Sequence, residues 1–277
     1  MRILGPLLIS FASLAFAQAP VAPVPAEPRA PAQAPRAAMP TGSTSPGAPA
    51  PVDEAKARRI VEEADRIRFP AEGFQVDVSI VTTSKDRPPE ERRYRVLSKG
   101  NGRTIVMVTA PADERGQILL MREHDLWVFL PNVSQPIRLS LAQRLTGQVA
   151  NGDLARANFA GDYNPRFLRT ETIEGQRYNV LELTAADRSV TYQRVVYWVH
   201  ESNSSPYRAE FYSASGRLLK TCTYDRFENQ LGKLRPTRLV MKDALHAGEQ
   251  SVLEYSGMKL RDLPDKVFTK DYLKKLE

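Results

Sequence analysis

The sequence predicts a mainly β protein: one curved antiparallel sheet of roughly ten strands plus a few helices, the first helix packed on the concave side. Three observations predict it. An amphipathic helical stretch before Gly73 gives way to period-2 alternation after it. From Phe167 onward, short alternating runs follow one another at even spacing, separated by turn signals, as in a meander. Between these regions lie runs that are apolar at every position, unlike a strand with one wet face.

The chain divides into three parts. Arg2, the short apolar run Ile3 to Phe16 and the small-x-small site Ala15-Phe16-Ala17 have the grammar of a secretory signal peptide, residues 1–17, cleaved after Ala17. The run is shorter than the roughly 20 residues of a membrane span. No cysteine lies near the cleavage site, so no lipid anchor is expected. Residues 18–52 are nearly all Ala, Pro, Val, Ser and Gly, without an apolar period, and read as a disordered tether. Residues 53–277, about 225 residues, suit a single domain. The one cysteine, Cys222, allows no intramolecular disulfide, so the core rests on hydrophobic burial. A net charge of +7, scattered among 32 acidic residues, reads either as a solvated mixed surface or as a weak attraction to anionic lipid. Export argues against ATP-driven and NAD-driven chemistry.

The elements follow in order. Asp53 opens a helix whose buried stripe is Ala57, Ile60, Val61, Ala64 and Ile67. Lys56, Arg59, Glu62, Glu63 and Arg66 face water, and Pro70 ends it. Phe74, Val76, Val78 and Ile80 alternate with polar residues and form the first strand. Asp86-Arg87-Pro88-Pro89 reads as a loop, and Lys99-Gly100-Asn101-Gly102 as a hairpin turn. Thr104–Thr109, Gln117–Met121 and Leu126–Leu130 are apolar on both faces, so each is either sandwiched between layers or lines a cavity. Ser140–Leu145 reads as a short helix with Ser140 as its cap. Thr146–Asn164 carries Val149, Leu154 and Phe159 among glycines, an irregular stretch suited to a lid. The meander then turns at Glu174-Gly175, Ser202–Pro206, Ser215-Gly216 and Ala247-Gly248, and a last helix runs over Thr269–Leu276. Within it, Arg194–His200 is again apolar on both faces.

No catalytic or metal pattern emerges. His124, His200 and His246 sit in no metal-ligand spacing, and neither H-E-x-x-H nor G-x-S-x-G occurs. Cys222 alternates on a strand and reads as a packed thiol. Arg92-Arg93-Tyr94-Arg95 carries too little charge, on an exported chain, to suggest nucleic acid. The expectation is a non-enzyme with no cofactor and no metal.

Several stretches, taken in order, carry a resemblance. They are Leu126-Trp127-Val128-Phe129-Leu130-Pro131, Val196-Tyr197-Trp198-Val199, Ser205-Pro206-Tyr207-Arg208-Ala209-Glu210-Phe211-Tyr212 and Ser215-Gly216-Arg217-Leu218-Leu219-Lys220-Thr221. Leu234-Arg235-Pro236-Thr237-Arg238, Ser251-Val252-Leu253-Glu254-Tyr255 and Leu263-Pro264-Asp265-Lys266-Val267-Phe268-Thr269 complete the set. Together they resemble the LolA-like outer-membrane lipoprotein-sorting proteins of bacterial envelopes. The resemblance implies an incomplete antiparallel β-barrel covered on its concave side by helices, with an apolar space for acyl chains. It implies a periplasmic, non-enzymatic carrier of lipoprotein acyl chains or free lipid, with an inner-membrane exporter and an outer-membrane acceptor as partners, acting as a monomer. The alternative is a lipid-sensing or structural envelope module that works through a protein partner. The cavity candidates are Met107, Met121, Trp127, Phe129, Phe159, Trp198 and Met241. Leu126, Val128 and Leu130 offer the opposite face, and a one-residue slip exchanges the two sets.

Overall fold

A computed structural model describes residues 51–273 apart from residues 101 and 157, and without the side chains of residues 51 and 52. The signal peptide expected over residues 1–17 and nearly all of the tether over residues 18–52 lie outside the described residues. Helix α1 spans Pro51–Arg68, starting two residues earlier than the sequence predicts. Asp53 and Glu54 in its first turn and Arg66 and Arg68 in its last complement the helix dipole.

Then come β1 (Phe74–Ser84), β2 (Arg87–Lys99), β3 (Arg103–Ala110), β4 (Ile118–Arg122), β5 (Asp125–Phe129) and β6 (Ile137–Leu139). Short β7 (Arg144–Thr146) and β8 (Val149–Ala150) pair with each other and lead into α2 (Asn151–Ala155) and α3 (Phe159–Asp162). The meander comprises β9 (Tyr163–Ile173), β10 (Gln176–Ala185), β11 (Arg194–His200), β12 (Pro206–Tyr212), β13 (Leu218–Gln230), β14 (Lys233–Asp243) and β15 (Gln250–Leu260). A turn of 3₁₀-helix, Asp265–Phe268, precedes α4 (Lys270–Leu273).

Among the described residues, thirteen strands form one antiparallel sheet in the order β6-β5-β4-β3-β2-β1-β15-β14-β13-β12-β11-β10-β9. The first and last long strands pair, Val78 opposite Tyr255 and Ile80 opposite Leu253, which joins the two halves of the chain. The sheet is curved and its edges, β6 and β9, do not meet, so it does not close into a barrel. Its tight turns use left-handed backbone where the sequence supplies it: Glu174-Gly175 at φ 50° and 79°, and Leu231-Gly232 at 54° and 75°.

Four expectations need correction. Arg87, Pro88 and Pro89 belong to β2, and the hairpin turns at residues 85–86. β3 pairs with β2 only from Arg93 onward, so the two prolines, which cannot donate, sit where no third strand asks them to. Ser140–Leu145 is a turn leading into β7, in which Ser140 accepts from the N–H groups of Ala142 and Gln143. Thr146–Asn164 is ordered into β7–β8, α2 and α3, and its Val149, Leu154 and Phe159 are buried in the main core. Asp153 reaches back to the Ala150 N–H (2.7 Å) and Asn158 caps Gly161 (3.0 Å), so local hydrogen bonds shape what looked irregular. The last helix starts at Lys270, and its expected end lies beyond the described residues.

The strands apolar on both faces are sandwiched. Val106, Val108, Leu119, Met121, Leu126 and Val128 join the main core, together with Ala57, Val61 and Ala64 of α1. Ile105, Ile118, Leu120 and Phe129 face the other way and pack beneath Leu263, Val267, Phe268 and Leu273. The C-terminal segment is therefore a second layer. Trp127 sits at its rim, with the Lys270 ammonium 4.5 Å from the ring centroid. Trp127→Ala should cost about 2 kcal/mol in a urea melt and speed amide exchange over residues 263–273. Unchanged exchange there would show that Trp127 does not hold the layer down.

Candidate functional site

The inner face of β1 and β2 is set by alternation. Phe74, Val76 and Val96 point to the same side, and Val76 pairs directly with Val96, which in turn pairs with Val106. Beyond the helix end, Phe69 stacks on Phe74 (centroids 5.5 Å apart, planes 13° apart) and meets Tyr255 edge-on at 5.6 Å. Leu154 and Ala155 of α2 come in from the opposite side. Between these groups lies a tight apolar cavity of about 30 Å³ with Ser98 and Thr104 on its wall, reaching the turn at Gly100. That is room for about one water molecule.

A second group of side chains is buried and charged. Arg68 donates to Asp65 (2.6 Å), whose other oxygen accepts the Ala160 N–H (2.8 Å), tying α1 to α3. Arg156 grips Asp162 with Nε (2.6 Å) and Nη2, and donates through Nη1 to the Glu123 carbonyl (2.9 Å). Lys220 donates to Asp153 (2.5 Å) and to the Gln148 carbonyl. The Tyr192 hydroxyl adds a further bond to Asp153 at 2.8 Å. Burial pushes the Asp65 carboxyl up, and Arg68 and the Ala160 N–H offset only part of the shift. Burial also raises the hydroxyls of Tyr192 and Tyr224 well above their usual range, so they stay protonated donors. Arg68, Asp153, Arg156, Asp162, Tyr192 and Tyr224 help line a second cavity of about 30 Å³.

The seven predicted site residues do not share one surface. Met121, Phe159 and Met241 are in the main core, and Phe159 and Met241 line the charged cavity. Met107, Trp127 and Phe129 belong to the opposite face, under the C-terminal layer. Trp198 lies in a third cluster with Tyr178, Val180 and Val196, its indole N–H donating to Glu171 (3.2 Å) and Arg208 stacked 3.9 Å from its ring. The cause is strand parity: Leu126 and Val128 take the inner face, leaving Trp127 and Phe129 to the outer one.

Sequence reasoning missed the ion network. One signal was available: Ala57, Val61, Ala64 and Arg68 fall at helical spacing on one stripe, which puts a guanidinium on the buried face. Cys222 matches its reading, fully buried on β13 with its thiol pushed up to about 12 by burial. It should not react with a disulfide reagent until urea unfolds the chain, and rapid reaction of native protein would refute the packing. Asp243, His246 and Glu249 on the β14–β15 connection bring possible ligand atoms within 4.8 Å of one another. Their carboxylates already accept from the N–H groups of Leu245 (2.6 Å) and His246 (2.9 Å) and from Gln148 (3.1 Å).

The fold and its cavities can be set beside known structures. A LolA superfamily protein from Nitrosomonas europaea is 65% identical, and the match covers 78% of this chain and 98% of that one with a TM-score of 0.76. The chain belongs to the LolA superfamily. A family model described as an uncharacterized protein matches residues 100–275. Two more distant structures share the LolA-like fold. One is a DUF1329 family protein from Desulfovibrio piger, at 20% identity, TM-score 0.70 and coverage of 80% of this chain and 99% of that one. The other, from Vibrio parahaemolyticus, is described as an outer-membrane lipoprotein-sorting protein domain, at 22% identity, TM-score 0.67 and coverage of 80% and 99%. No curated protein matches. No helix among the described residues is long and apolar enough to cross a membrane.

Proposed function

We propose that this LolA-superfamily chain is a non-enzymatic carrier of the bacterial periplasm that takes up acyl chains of lipoproteins or lipids and moves them across the envelope. The observation that carries this reading is the apolar lining shared by Phe69, Phe74, Val76, Val96, Leu154 and Tyr255, whose void of about 30 Å³ must widen to admit an acyl chain. Helices α1 to α3 cover the concave side of the sheet and the cavity with it. Affinity comes from apolar burial, at about 0.8 kcal/mol per methylene removed from water. Membership of the superfamily supports the carrier class, and the sorting-protein description of the Vibrio relative supports lipoprotein or lipid as cargo. An inner-membrane donor and an outer-membrane acceptor complete the route.

Native mass spectrometry of the protein purified from a bacterial envelope tests the reading. A carrier brings along species heavier by the mass of a lipid, lost when Val76→Asp is purified in parallel. A clean apo mass for the native chain in gentle ionisation would favour the alternative, an envelope module acting through a protein partner.

A further inference from the structure

We infer that the edge strand β9 pairs antiparallel with the β9 of a second copy of this chain, about a two-fold axis at Thr170, joining two molecules edge to edge. The inference departs from the monomer that the resemblance implies, and it stands whether or not lipid is the cargo.

The first observation is an open edge. Among the described residues, β9 ends the sheet and bonds to β10 alone, so the outward N–H and C=O groups of an eleven-residue strand face no other strand. The other edge, β6, is three residues long and follows Pro136, and both features blunt it. Past Pro165, β9 carries no proline. From Arg166 to Glu174 every residue is exposed or half-buried, with Phe167, Leu168 and Ile173 among them. Helix α1 lies on the concave side of this strand, where the Lys56 ammonium sits 5.0 Å from the Phe167 ring centroid.

The second observation is self-complementarity. Charge changes sign about Thr170, with Arg166 and Arg169 before it and Glu171 and Glu174 after it. When Thr170 lies opposite Thr170 in an antiparallel pair of copies, Arg169 of each strand meets Glu171 of the other. Both side chains stand on the outer face, opposite Val180 and Tyr178 of β10. Within one chain Arg169 already bonds Glu171 at 2.8 Å, so two copies join their four charges in one alternating network. A bulge makes Leu168 an extra residue against β10 and turns it to the same outer cluster as Ile173. Leu168 of each copy therefore meets Ile173 of the other, and apolar contact flanks the charges on both sides. A parallel pair in register would set Arg169 against Arg169. The chain's own residues 18–50 suit the edge poorly, because their many prolines lack the N–H that a paired strand needs.

Sedimentation velocity of protein purified from a bacterial envelope, from about 5 to about 200 µM, tests the pairing. A monomer–dimer equilibrium is expected, and it should weaken at high salt because the paired charges are exposed. Arg169→Glu and Glu171→Arg should each weaken dimerisation by about tenfold or more, since like charges then face each other twice. An equimolar mixture of the two variants should dimerise again, because every cross-strand pair between them is opposite in sign. A folding defect cannot produce that rescue. Thr170→Cys should form a disulfide-linked dimer under mild oxidation, since Cys222 is buried and paired Cα atoms lie about 4.5–5.5 Å apart. A monomer at every concentration, dimers that survive both reversals, no rescue in the mixture or no cross-link would overturn the inference. So would a monomer whose β9 amides resist exchange, because another segment or a foreign strand would then occupy the edge.

Discussion

Ala155→Phe should close the apolar cavity and weaken binding of a fluorescent fatty acid by more than about tenfold. Ala155 is buried on α2 and its methyl faces the space between Phe69, Phe74 and Tyr255. A phenyl ring placed there occupies the volume of several methylenes. Losing the burial of roughly three, at about 0.8 kcal/mol each, is enough for that change. The ring is larger than the void it enters, so overpacking should also cost about 1–3 kcal/mol of stability. Ala155→Leu, a smaller intrusion, should lower affinity less and stability less, and binding is compared in variants shown folded by a cooperative melt. Full affinity in a folded variant would place the acyl chain elsewhere.

Asp153→Ala should be the most destabilising single change in the ion network, at about 3–5 kcal/mol. One carboxylate accepts from the Lys220 ammonium, the Tyr192 hydroxyl and the Ala150 N–H, at 2.5, 2.8 and 2.7 Å. Removing it leaves Lys220, buried on β13 beneath Tyr192 and Phe211, with a carbonyl in place of a counter-charge. A urea melt reads the loss as a lower midpoint at unchanged slope. Adding Lys220→Met should recover most of it, because the orphaned charge goes too. A single variant within about 0.5 kcal/mol of the parent would show that water reaches the ammonium and that the site is not dry.

The strands were legible because each is a local pattern. Phe74, Val76, Val78 and Ile80 announce one buried face, and the turns at Glu174-Gly175 and Ser215-Gly216 are written in residue types that accept positive φ or follow from it. The candidate site was less so. Alternation puts Phe74 and Val76 on an inner face, but Trp127, Phe129 and Met107, cavity candidates by sequence, belong under the C-terminal layer. A strand that is apolar on both sides carries no mark of which side is which. The ion pairs were hidden for another reason. Lys220 and Asp153 are 67 residues apart, and nothing local to either distinguishes a buried charge from a solvated one.

What the sequence determined by itself is the inventory: a leading helix, a run of antiparallel strands and most of the turns between them. Periodicity and turn chemistry act over a few residues, and those few residues are all that a strand or hairpin needs to declare itself. What only the tertiary structure decided is which apolar face meets a cavity and which a second layer, and which charges lose their water. Both depend on what the chain brings back from far away. Leu263 to Leu273 roofs β3 to β5 on one side, while α1 and α2 set Arg68 and Asp153 against strands of the other half on the other. Burial is a property of the assembled neighbours, so the same lysine or methionine reads alike in the chain whether it ends in solvent or in the core.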